Sequence, residues 1–535
     1  MASGSTCGEA LVRLLQDYGV DTVFGIPGVH TLELYRGLAG NAVRHVQPRH
    51  EQGAGFMADG YARAAGKPGV CFLITGPGVT NAATAMGQAY SDSVPMLVIS
   101  SVNARRDLGK GWGRLHEITD QRASTAPLTA FSATALSPAE VPDLLARAFD
   151  VFRSGRPRPV HIEVPIDVFP LEVSEAWRAA VAAARPAPPA ASLDQAAALL
   201  AGAKQPVIIA GGGATEAGEA LAGLATLLGA AVATTTAGKG ILPDSDPLSL
   251  GSTLSEAPIQ DYLAKADVIL AIGTELAETD LWRDDLELPG KLIRVDIDPG
   301  KMNDQHKASL AILGDAAATA RGLLAKLVSG GAAAAVEGTA ERVAELRRRM
   351  LADLSPRETT FKRILDRVSE SLPDDAMVFT DMTQIAYFGN RFYPAERPGT
   401  WFHPVGFGTL GYALPAAIGA KLAAPARAAV ALAGDGGFMF TLQELATAVE
   451  LGLPIPILLW NNEAYGQILE GMTARGIPEI GVRPRNPDFQ ALAAAFGCGA
   501  AKPETLDQLG AALSGALEAA GPTLIELRHD AAGLV

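Results

Sequence analysis

The chain has 535 residues, which is too long for one ordinary hydrophobic core, so roughly two to four domains are expected. Its 48% hydrophobic and 19% charged residues are typical of a globular enzyme, and no apolar run is long enough to span a bilayer. The formal net charge of −14 argues against a nucleic-acid partner, because phosphate backbones are bound by clustered positive charge.

The first residues and the cysteines bear on the cellular compartment. Helical periodicity begins at Cys7 and continues to Tyr18, and no basic stretch followed by an apolar stretch precedes it. We therefore expect a cytoplasmic protein. Cys7, Cys71 and Cys498 are odd in number and far apart, so neither a disulfide framework nor a zinc site is predicted.

Two changes of composition divide the chain into three parts. Residues 185–192 are rich in Pro and Ala, residues 329–335 are rich in Gly and Ala, and both segments are typical of linkers. The predicted domains are 1–184, 193–328 and 345–535. Each alternates short apolar runs with longer amphipathic ones, which predicts three α/β domains with doubly wound parallel sheets.

Continuous Val, Ile and Leu runs suit parallel strands that are covered on both faces. The predicted strands are 22–24, 70–74, 96–100, 160–164, 206–210, 268–272, 292–296, 377–380, 428–433, 455–460 and 523–527.

Polar residues follow two strands of the third part. The strand 428–433 leads into Gly434-Asp-Gly-Gly437, and Asn461-Asn462 come one helix and one strand later. Neighbouring parallel strands end at the same crevice, so Asp435 and Asn462 are expected to converge, and their oxygens suit Mg²⁺. Gly436 and Gly437 are expected to open a helix over 438–451 whose free N–H groups hold phosphates. These residues predict a diphosphate and magnesium site.

This order of motifs resembles the signature of thiamine-diphosphate enzymes, and other segments resemble acetolactate synthase and its relatives in order and spacing. The resemblance covers nearly the whole chain and implies pyrimidine-binding, central and diphosphate-binding domains. Its segments are FGIPG (24–28), TGPGVTN (75–81), AYSDSVP (89–95), RPRPVHIEVPID (156–167), KQPVIIAGGG (204–213), GKG (238–240), VDID (295–298) and GFGTLGYALPAAIG (406–419).

The resemblance implies thiamine diphosphate and Mg²⁺ as cofactors, with the metal on Asp435, Asn462 and the carbonyl of Ala464. It makes Leu410 the apolar wedge that bends the cofactor, a role compatible with core packing, and the Gly408 carbonyl an acceptor for the 4′-amine. The other cofactor contacts that it implies are Pro27, Thr383, Gln384, Gly436, Gly437 and Tyr465.

Glu51 lies in PRHEQGAGFMADGYA, residues 48–62, at the start of an expected helix. Taken alone, it is an ordinary first-turn acid favoured by the helix dipole. The resemblance makes it the carboxylate that bonds to the pyrimidine ring and promotes its imino tautomer. Because Glu51 is in the first domain and the metal site in the third, the resemblance also implies a homodimer at minimum, with a homotetramer expected.

The central domain departs from the synthases. Their flavin is held partly by a Gly-x-Arg-Phe-Asp-Asp-Arg segment, whereas residues 273–280 here read GTELAETD, which makes FAD doubtful. Gly211-Gly-Gly213 turns after a strand and could lie near a nucleotide, but a tight strand–helix turn is the favoured interpretation. It lacks the Gly-x-Gly-x-x-Gly spacing of a dinucleotide-binding dehydrogenase.

The segment 115–117, Leu-His-Glu, replaces the Phe-Gln-Glu of the synthases and partly resembles the Leu-His-His of pyruvate-decarboxylase-like enzymes. His116 is therefore a candidate for proton transfer, or else a surface histidine of a loop. The second His of that motif is absent, and Ile468 stands where those decarboxylases carry a catalytic Glu.

Residues 25–35 and 461–468 are most similar to a catabolic branch of the family that includes 5-guanidino-2-oxopentanoate decarboxylase. The resemblance places Val29 and His30 on the floor of the site and Gln467 near the substrate. A cationic substrate needs a carboxylate, for which Glu470, Glu117 and Asp120 are candidates, although each is equally a solvated acid.

The sequence thus predicts non-oxidative decarboxylation of a small-molecule 2-oxo acid to an aldehyde, with Glu51, His116, His30 and Gln467 as catalytic candidates. Acetolactate-type carboligation is the alternative, because both reactions share their first steps. A dehydrogenase, a nucleotide-binding module or a non-catalytic paralogue would be a different class.

Overall fold

A computed structural model describes residues 5–283, 286–331 and 335–534 of the chain. Three six-stranded parallel sheets, one in each third of the chain, are flanked by helices, which confirms the predicted α/β class. No helix in the described ranges is both long and apolar enough to cross a membrane. The predicted linker 329–335 lies partly outside the described residues, and the helix that follows the linker 185–192 already begins at Ala190.

The first sheet has the strand order β3-β2-β4-β5-β7-β6, and β1 and β8 form a separate antiparallel pair. The strands are β1 (Ser5–Thr6), β2 (Thr22–Gly25), β3 (Arg44–Val46), β4 (Gly69–Leu73), β5 (Met96–Val102), β6 (Phe131–Thr134), β7 (Val160–Pro165) and β8 (Glu172–Val173). The helices are α1 (Cys7–Asp17), α2 (Leu32–Arg36), α3 (Glu51–Ala65), α4 (Pro77–Ser91), α5 (Gln121–Thr125) and α6 (Glu140–Ser154).

The central sheet has the order β11-β10-β9-β12-β13-β14. The strands are β9 (Pro206–Ala210), β10 (Ala231–Thr234), β11 (Ser249–Gly251), β12 (Val268–Ile272), β13 (Lys291–Asp296) and β14 (Leu310–Leu313). The helices are α7 (Ala190–Ala201), α8 (Gly218–Leu228), α9 (Ala257–Leu263), α10 (Glu278–Leu281) and α11 (Ala316–Ser329).

The third sheet has the order β16-β15-β17-β18-β20-β19. The strands are β15 (Met377–Thr380), β16 (Trp401–Phe402), β17 (Ala429–Gly434), β18 (Pro456–Asn461), β19 (Gly499–Ala501) and β20 (Thr523–Arg528). The helices are α12 (Thr339–Ala352), α13 (Pro356–Glu370), α14 (Gln384–Phe392), α15 (Ala413–Ala423), α16 (Asp435–Phe438), α17 (Glu444–Glu450), α18 (Gly466–Ala474), α19 (Phe489–Phe496) and α20 (Leu506–Glu518).

The helix predicted over 438–451 is wrong. The structure has one helical turn, α16, and a separate helix, α17. Between them the Thr441 hydroxyl donates to the carbonyl of Gly411 at 2.7 Å, and the Phe440 side chain packs against the same glycine. These contacts with the loop before α15 draw the backbone out of a continuous helix.

Helices α3 and α15 bring the first and third domains together through close backbone contact. A Cβ on Gly60 would lie 2.0 Å from the carbonyl oxygen of Ala416, and one on Gly419 would lie 1.9 Å from that of Met57. Glycine is therefore required at both positions. Around the crossing, one hydrophobic cluster includes buried residues of both sheets and both helices, such as Phe56.

Gly419→Ala is expected to lower the melting temperature, because the new methyl group overlaps the α3 backbone. Overpacking of this kind costs about 1–3 kcal/mol. The matched control is Gly515→Ala, at a helical glycine with no atom within 4 Å of its Cβ position, which should stabilise by about 0.5–1 kcal/mol. Thermal unfolding of both variants measures the difference, and equal melting temperatures would contradict the close contact.

Candidate active site

The predicted metal ligands lie at the carboxyl ends of two paired strands. Gly434, the last residue of β17, is opposite Trp460 of β18, so Asp435 and Asn461 leave the sheet at the same edge. The carboxylate of Asp435 is buried, and its Oδ2 accepts a hydrogen bond from Asn486 Nδ2 at 2.7 Å. Asn486 also donates to Asn461 Oδ1 at 3.1 Å and thus joins the two strand ends.

The two adjacent asparagines have different surroundings. Asn461 is buried, donates to Glu526 Oε1 at 2.8 Å and accepts from the N–H of Glu463, so it closes the turn. Asn462 is half-buried, and its Oδ1 accepts from the N–H of Ala464 at 3.2 Å. Glu463, which follows the two asparagines, has φ of +56°, a left-handed conformation that residues other than glycine seldom adopt. Asn462 is thus the first residue after β18, at the start of this strained turn.

Three glycines fit closely around Asp435. A Cβ on Gly434 would lie 2.9 Å from Thr383 Oγ1, one on Gly436 would lie 2.5 Å from the Tyr465 ring, and one on Gly437 would lie 2.9 Å from the Asp381 carboxylate. The N–H of Gly436 donates to Asp435 Oδ1 at 2.9 Å. The long helix start that was predicted here is a single turn, α16, and the N–H of Gly436 within it already has an acceptor in Asp435.

Gln384 and the start of α18 complete this half of the site. A Cβ on Gly466 would lie 2.6 Å from Asn462 Nδ2 and 2.8 Å from Gln384 Oε1, so these side chains surround one point. Gln467 is exposed on the first turn of α18.

Gly408 and Leu410 lie in the loop before α15, whose shape depends on Asp381. The buried Asp381 accepts from the N–H of Gly411 at 2.8 Å, and burial raises its pKa to about 6. Gly408 has φ of +66°. Leu410 is partly buried, as expected for a side chain at the edge of a pocket.

Glu51 is the first residue of α3 and is half-buried. Its Oε2 accepts from Asn81 Nδ2 of α4 at 2.9 Å, and its Oε1 lies 3.6 Å from the Cβ position of Gly78. One carboxylate oxygen is thus fixed by the protein. Pro27 is exposed in the loop after β2, on the same domain.

His30 and His116 lie side by side although 86 positions separate them. Their ring centroids are 5.2 Å apart, with the rings nearly perpendicular. The Nδ1 atom of His30 is buried without a hydrogen-bond partner, and burial together with the charge of His116 lowers the pKa of His30. His116 has φ of +60°, and its carbonyl oxygen lies 2.4 Å from the Cβ position of Gly76. His116 therefore has a histidine from another loop as its neighbour.

Within one chain the candidate residues form two separate groups. The first-domain group is defined by Pro27, His30, Glu51 and His116, and the third-domain group by Thr383, Gln384, Gly408, Leu410, Asp435, Gly436, Gly437, Asn462, Ala464, Tyr465 and Gln467. Among the hydrogen bonds, ion pairs and ring contacts between described residues, none joins a member of one group to a member of the other.

Several polar residues of the site were missed from the sequence. Asn486 comes from a loop after α18 and stands in no recognisable motif, whereas Asn81 ends the TGPGVTN segment but was not assigned a role there. Glu444 is fully buried and accepts from the backbone N–H groups of Arg49 and His50 at 3.0 Å, just before Glu51. Burial raises the pKa of Glu444 to about 7. The signal for Glu444 in the sequence is an acidic residue within the largely apolar stretch LQELATAV, residues 442–449.

A cavity of about 490 Å³ lies where the three domains meet, at the carboxyl edge of the central sheet. Gly212 and Gly213 line it, together with Glu275 and Asp280 of the segment that departs from the flavin motif. Glu275 forms an ion pair with Arg156, and burial raises the pKa of Asp280 to about 7. Arg156, one of several cations that line the cavity, is therefore already paired with an acid.

Three family models match successive parts of the chain. Residues 5–124 match the thiamine pyrophosphate enzyme N-terminal TPP binding domain, residues 193–323 match the central domain, and residues 381–527 match the C-terminal TPP binding domain. The two described groups of candidate residues fall in or beside the N-terminal and C-terminal matches.

Curated relatives match almost the whole chain. It is 57% identical over 530 residues to the probable 2-ketoarginine decarboxylase AruI of Pseudomonas aeruginosa, covering 98% of this chain and 94% of that protein. It is 33% identical over 543 residues to acetolactate synthase isozyme 1 large subunit of Escherichia coli, with coverages of 98% and 94%. It is 34% identical over 519 residues to the acetolactate synthase large subunit of Corynebacterium glutamicum, with coverages of 92% and 82%. The chain therefore belongs to the thiamine pyrophosphate enzyme family.

Proposed function

We propose that the protein is a thiamine-diphosphate and Mg²⁺-dependent decarboxylase that converts 2-ketoarginine, 5-guanidino-2-oxopentanoate, to the aldehyde and CO₂. The observation that carries this proposal is the 57% identity, over 98% of the chain, to a probable 2-ketoarginine decarboxylase. The identity to acetolactate synthases, 33–34%, is much lower and supports carboligation only as the alternative.

The surroundings of Asp435 fit a magnesium ion. Burial raises its pKa, and the groups that lower it are the Asn486 amide and backbone N–H groups, with no cationic side chain among them in the described chain. A buried carboxylate without a cation favours a divalent ion, and Mg²⁺ prefers oxygen ligands. We assign the metal to Asp435, Asn462 and the carbonyl of Ala464.

When bound, thiamine diphosphate supplies a nucleophilic carbon and takes up the electrons released as CO₂ leaves. Thr383, Gln384, Gly436, Gly437 and Tyr465 would hold its diphosphate end through backbone and side-chain contacts. Gly408, Leu410 and Pro27 would orient its rings, and Glu51, fixed by Asn81 at Oε2, keeps Oε1 available to exchange a proton with the pyrimidine.

His116 and His30 would deliver the substrate protons. His116 has a strained backbone conformation and its ring lies against that of His30, and such strain is concentrated at functional positions. We assign His116 as the donor of the proton that completes the aldehyde, with Gln467 contacting the substrate.

The two groups of candidate residues are best completed by a second copy of the chain. Large apolar side chains are exposed beside each group: Val29, Trp112 and Leu115 near the first, and Phe440 and Ile468 near the second. Burying such surface favours association. We therefore propose a homodimer at minimum, and a homotetramer as the expected assembly.

The three unpaired cysteines fit a reducing compartment, so we propose that the protein is located in the cytoplasm.

The reaction is tested by incubating the purified protein with thiamine diphosphate, Mg²⁺ and a panel of 2-oxo acids, including pyruvate and 5-guanidino-2-oxopentanoate. Mass spectrometry then distinguishes the aldehyde from acetolactate-type products. We expect 4-guanidinobutanal and CO₂ from the guanidino substrate. Acetolactate from pyruvate as the dominant product would refute the proposal.

His30 is expected to remain neutral at pH 7. Its pKa is lowered by burial and by His116, so the folded chain binds fewer protons than the unfolded chain, and this contribution to stability is lost as the pH falls below about 6.5. NMR titration should show a His30 pKa below the ordinary value that rises in His116→Asn. The control variant His45→Asn, at a histidine bonded to Tyr35, should leave it unchanged.

A further inference from the structure

The three acids proposed as selectors for a cationic substrate have different partners. Glu117 accepts from the N–H groups of Gly111 and Arg114, both at 2.9 Å, and so closes its own loop. Asp120 accepts from the N–H of Ala123 at 2.8 Å and caps α5. Glu470 is the one among these three whose carboxylate is held by side-chain donors.

Glu470 already binds a guanidinium group of this chain. Nη1 of Arg357 bonds to Oε1 and Nη2 lies 3.3 Å from Oε2, which is the two-pronged geometry that carboxylates form with guanidinium. Gln384 Nε2 donates to Oε1 at 2.8 Å. The Arg357 hydrogen bonds lower the pKa of Glu470, so its carboxylate is ionised at neutral pH.

Glu470 is connected to the cofactor side of the site through Gln384. The other end of that amide, Oε1, lies beside the start of α18 at Gly466, next to Asn462. Glu470 is three positions after Gln467, so both side chains lie on one face of α18. The space beside them is open, because no atom lies within 4 Å of the Cβ position of Gly471.

We propose that Glu470, oriented by Gln384, is the carboxylate that binds the guanidinium end of the substrate, and that Arg357 occupies this position until the substrate replaces it. The ion pair suits such an exchange, because the side chains of Arg357 and Glu470 are 53% and 45% exposed and exposed pairs hold together weakly. This inference rests on the proposed function and names the specificity-determining residue of the same site.

The first experiment compares 5-guanidino-2-oxopentanoate with the neutral 2-oxohexanoate in Glu470→Gln. We expect kcat/KM for the guanidino substrate to fall about 10- to 100-fold, the worth of one hydrogen bond to a charged group, while 2-oxohexanoate changes by less than about twofold. The matched control is Glu479→Gln, which removes a nearby Glu that pairs with Arg483 at 2.8 Å and should alter neither substrate.

The second experiment measures binding without turnover, using calorimetry with 4-guanidinobutanoate. Glu470→Gln should weaken binding of 4-guanidinobutanoate, whereas Arg357→Ala should leave the binding unchanged or make it tighter, because the internal competitor is gone.

The inference would be overturned if Glu470→Gln lowered kcat/KM equally for 5-guanidino-2-oxopentanoate and for 2-oxohexanoate, or if Arg357→Ala weakened binding of 4-guanidinobutanoate. Either result would show that the pair of Glu470 and Arg357 is structural. Absence of decarboxylation in the unmodified protein would instead refute the proposed function, and the binding experiment would still stand.

Discussion

Glu51→Gln is expected to lower kcat by about 10²- to 10⁴-fold, the usual contribution of a positioned proton-transfer group. Glutamine keeps the length and the hydrogen bond from Asn81 but cannot exchange a proton. Binding of thiamine diphosphate should persist, because the residues proposed to hold the diphosphate are on the third domain. Steady-state kinetics measures the first effect, and the cofactor-induced rise in melting temperature measures the second.

Asn81→Ala is the companion variant for Glu51. It leaves the carboxylate in place but removes the donor that fixes Oε2, so a smaller loss of kcat is expected than for Glu51→Gln. Undiminished turnover in Glu51→Gln would remove Glu51 from the proton-transfer role assigned to it.

Asp435→Asn is expected to weaken binding of thiamine diphosphate and Mg²⁺ by more than about 100-fold. The substitution preserves shape but removes the negative charge of the proposed metal ligand, and loss of a partner that only supports a ligand already costs about 10–100-fold. A saturating ligand at 100 times its Kd stabilises by about 2.7 kcal/mol, so the variant should lose this increase in thermal stability.

Asn486→Ala is the graded control for Asp435. Asn486 donates to Oδ2 of Asp435 from outside the proposed ligand set, so its loss should weaken cofactor binding by about 10–100-fold and leave a measurable thermal shift at high cofactor concentration. An unchanged thermal shift in Asp435→Asn would contradict the metal site.

The sequence predicted the interior strands well, because continuous apolar runs such as 206–210 identify strands buried on both faces. It missed strands such as β10, which reads Ala-Val-Ala-Thr, and β3, which has two polar residues out of three. Strand pairing with a neighbour, rather than local propensity, determines these segments. The break between α16 and α17 likewise depends on contacts with a distant loop, through Thr441.

The candidate site was predictable where it follows a motif and unpredictable where it depends on folding. Asp435 and Asn462 stand directly after strands, and the topology of a parallel sheet is sufficient to bring strand ends together. The pairing of His30 with His116 joins two loops, and the ion pair of Glu470 with Arg357 joins two helices. No local pattern encodes either contact, because each depends on how separate loops and helices pack.

The glycine contacts between α3 and α15 limit which residues this part of the interface between the first and third domains can accept. Backbone lies against backbone at Gly60 and Gly419, so the crossing has no room for a methyl group. The segment that carries His116 is different, since Gly109, Gly111 and Gly113 all have φ near +65° and empty space around them. It follows that a side chain is excluded from the crossing of α3 and α15 by the opposing backbone, whereas in this segment it is disfavoured only by the conformation of the glycine backbone itself.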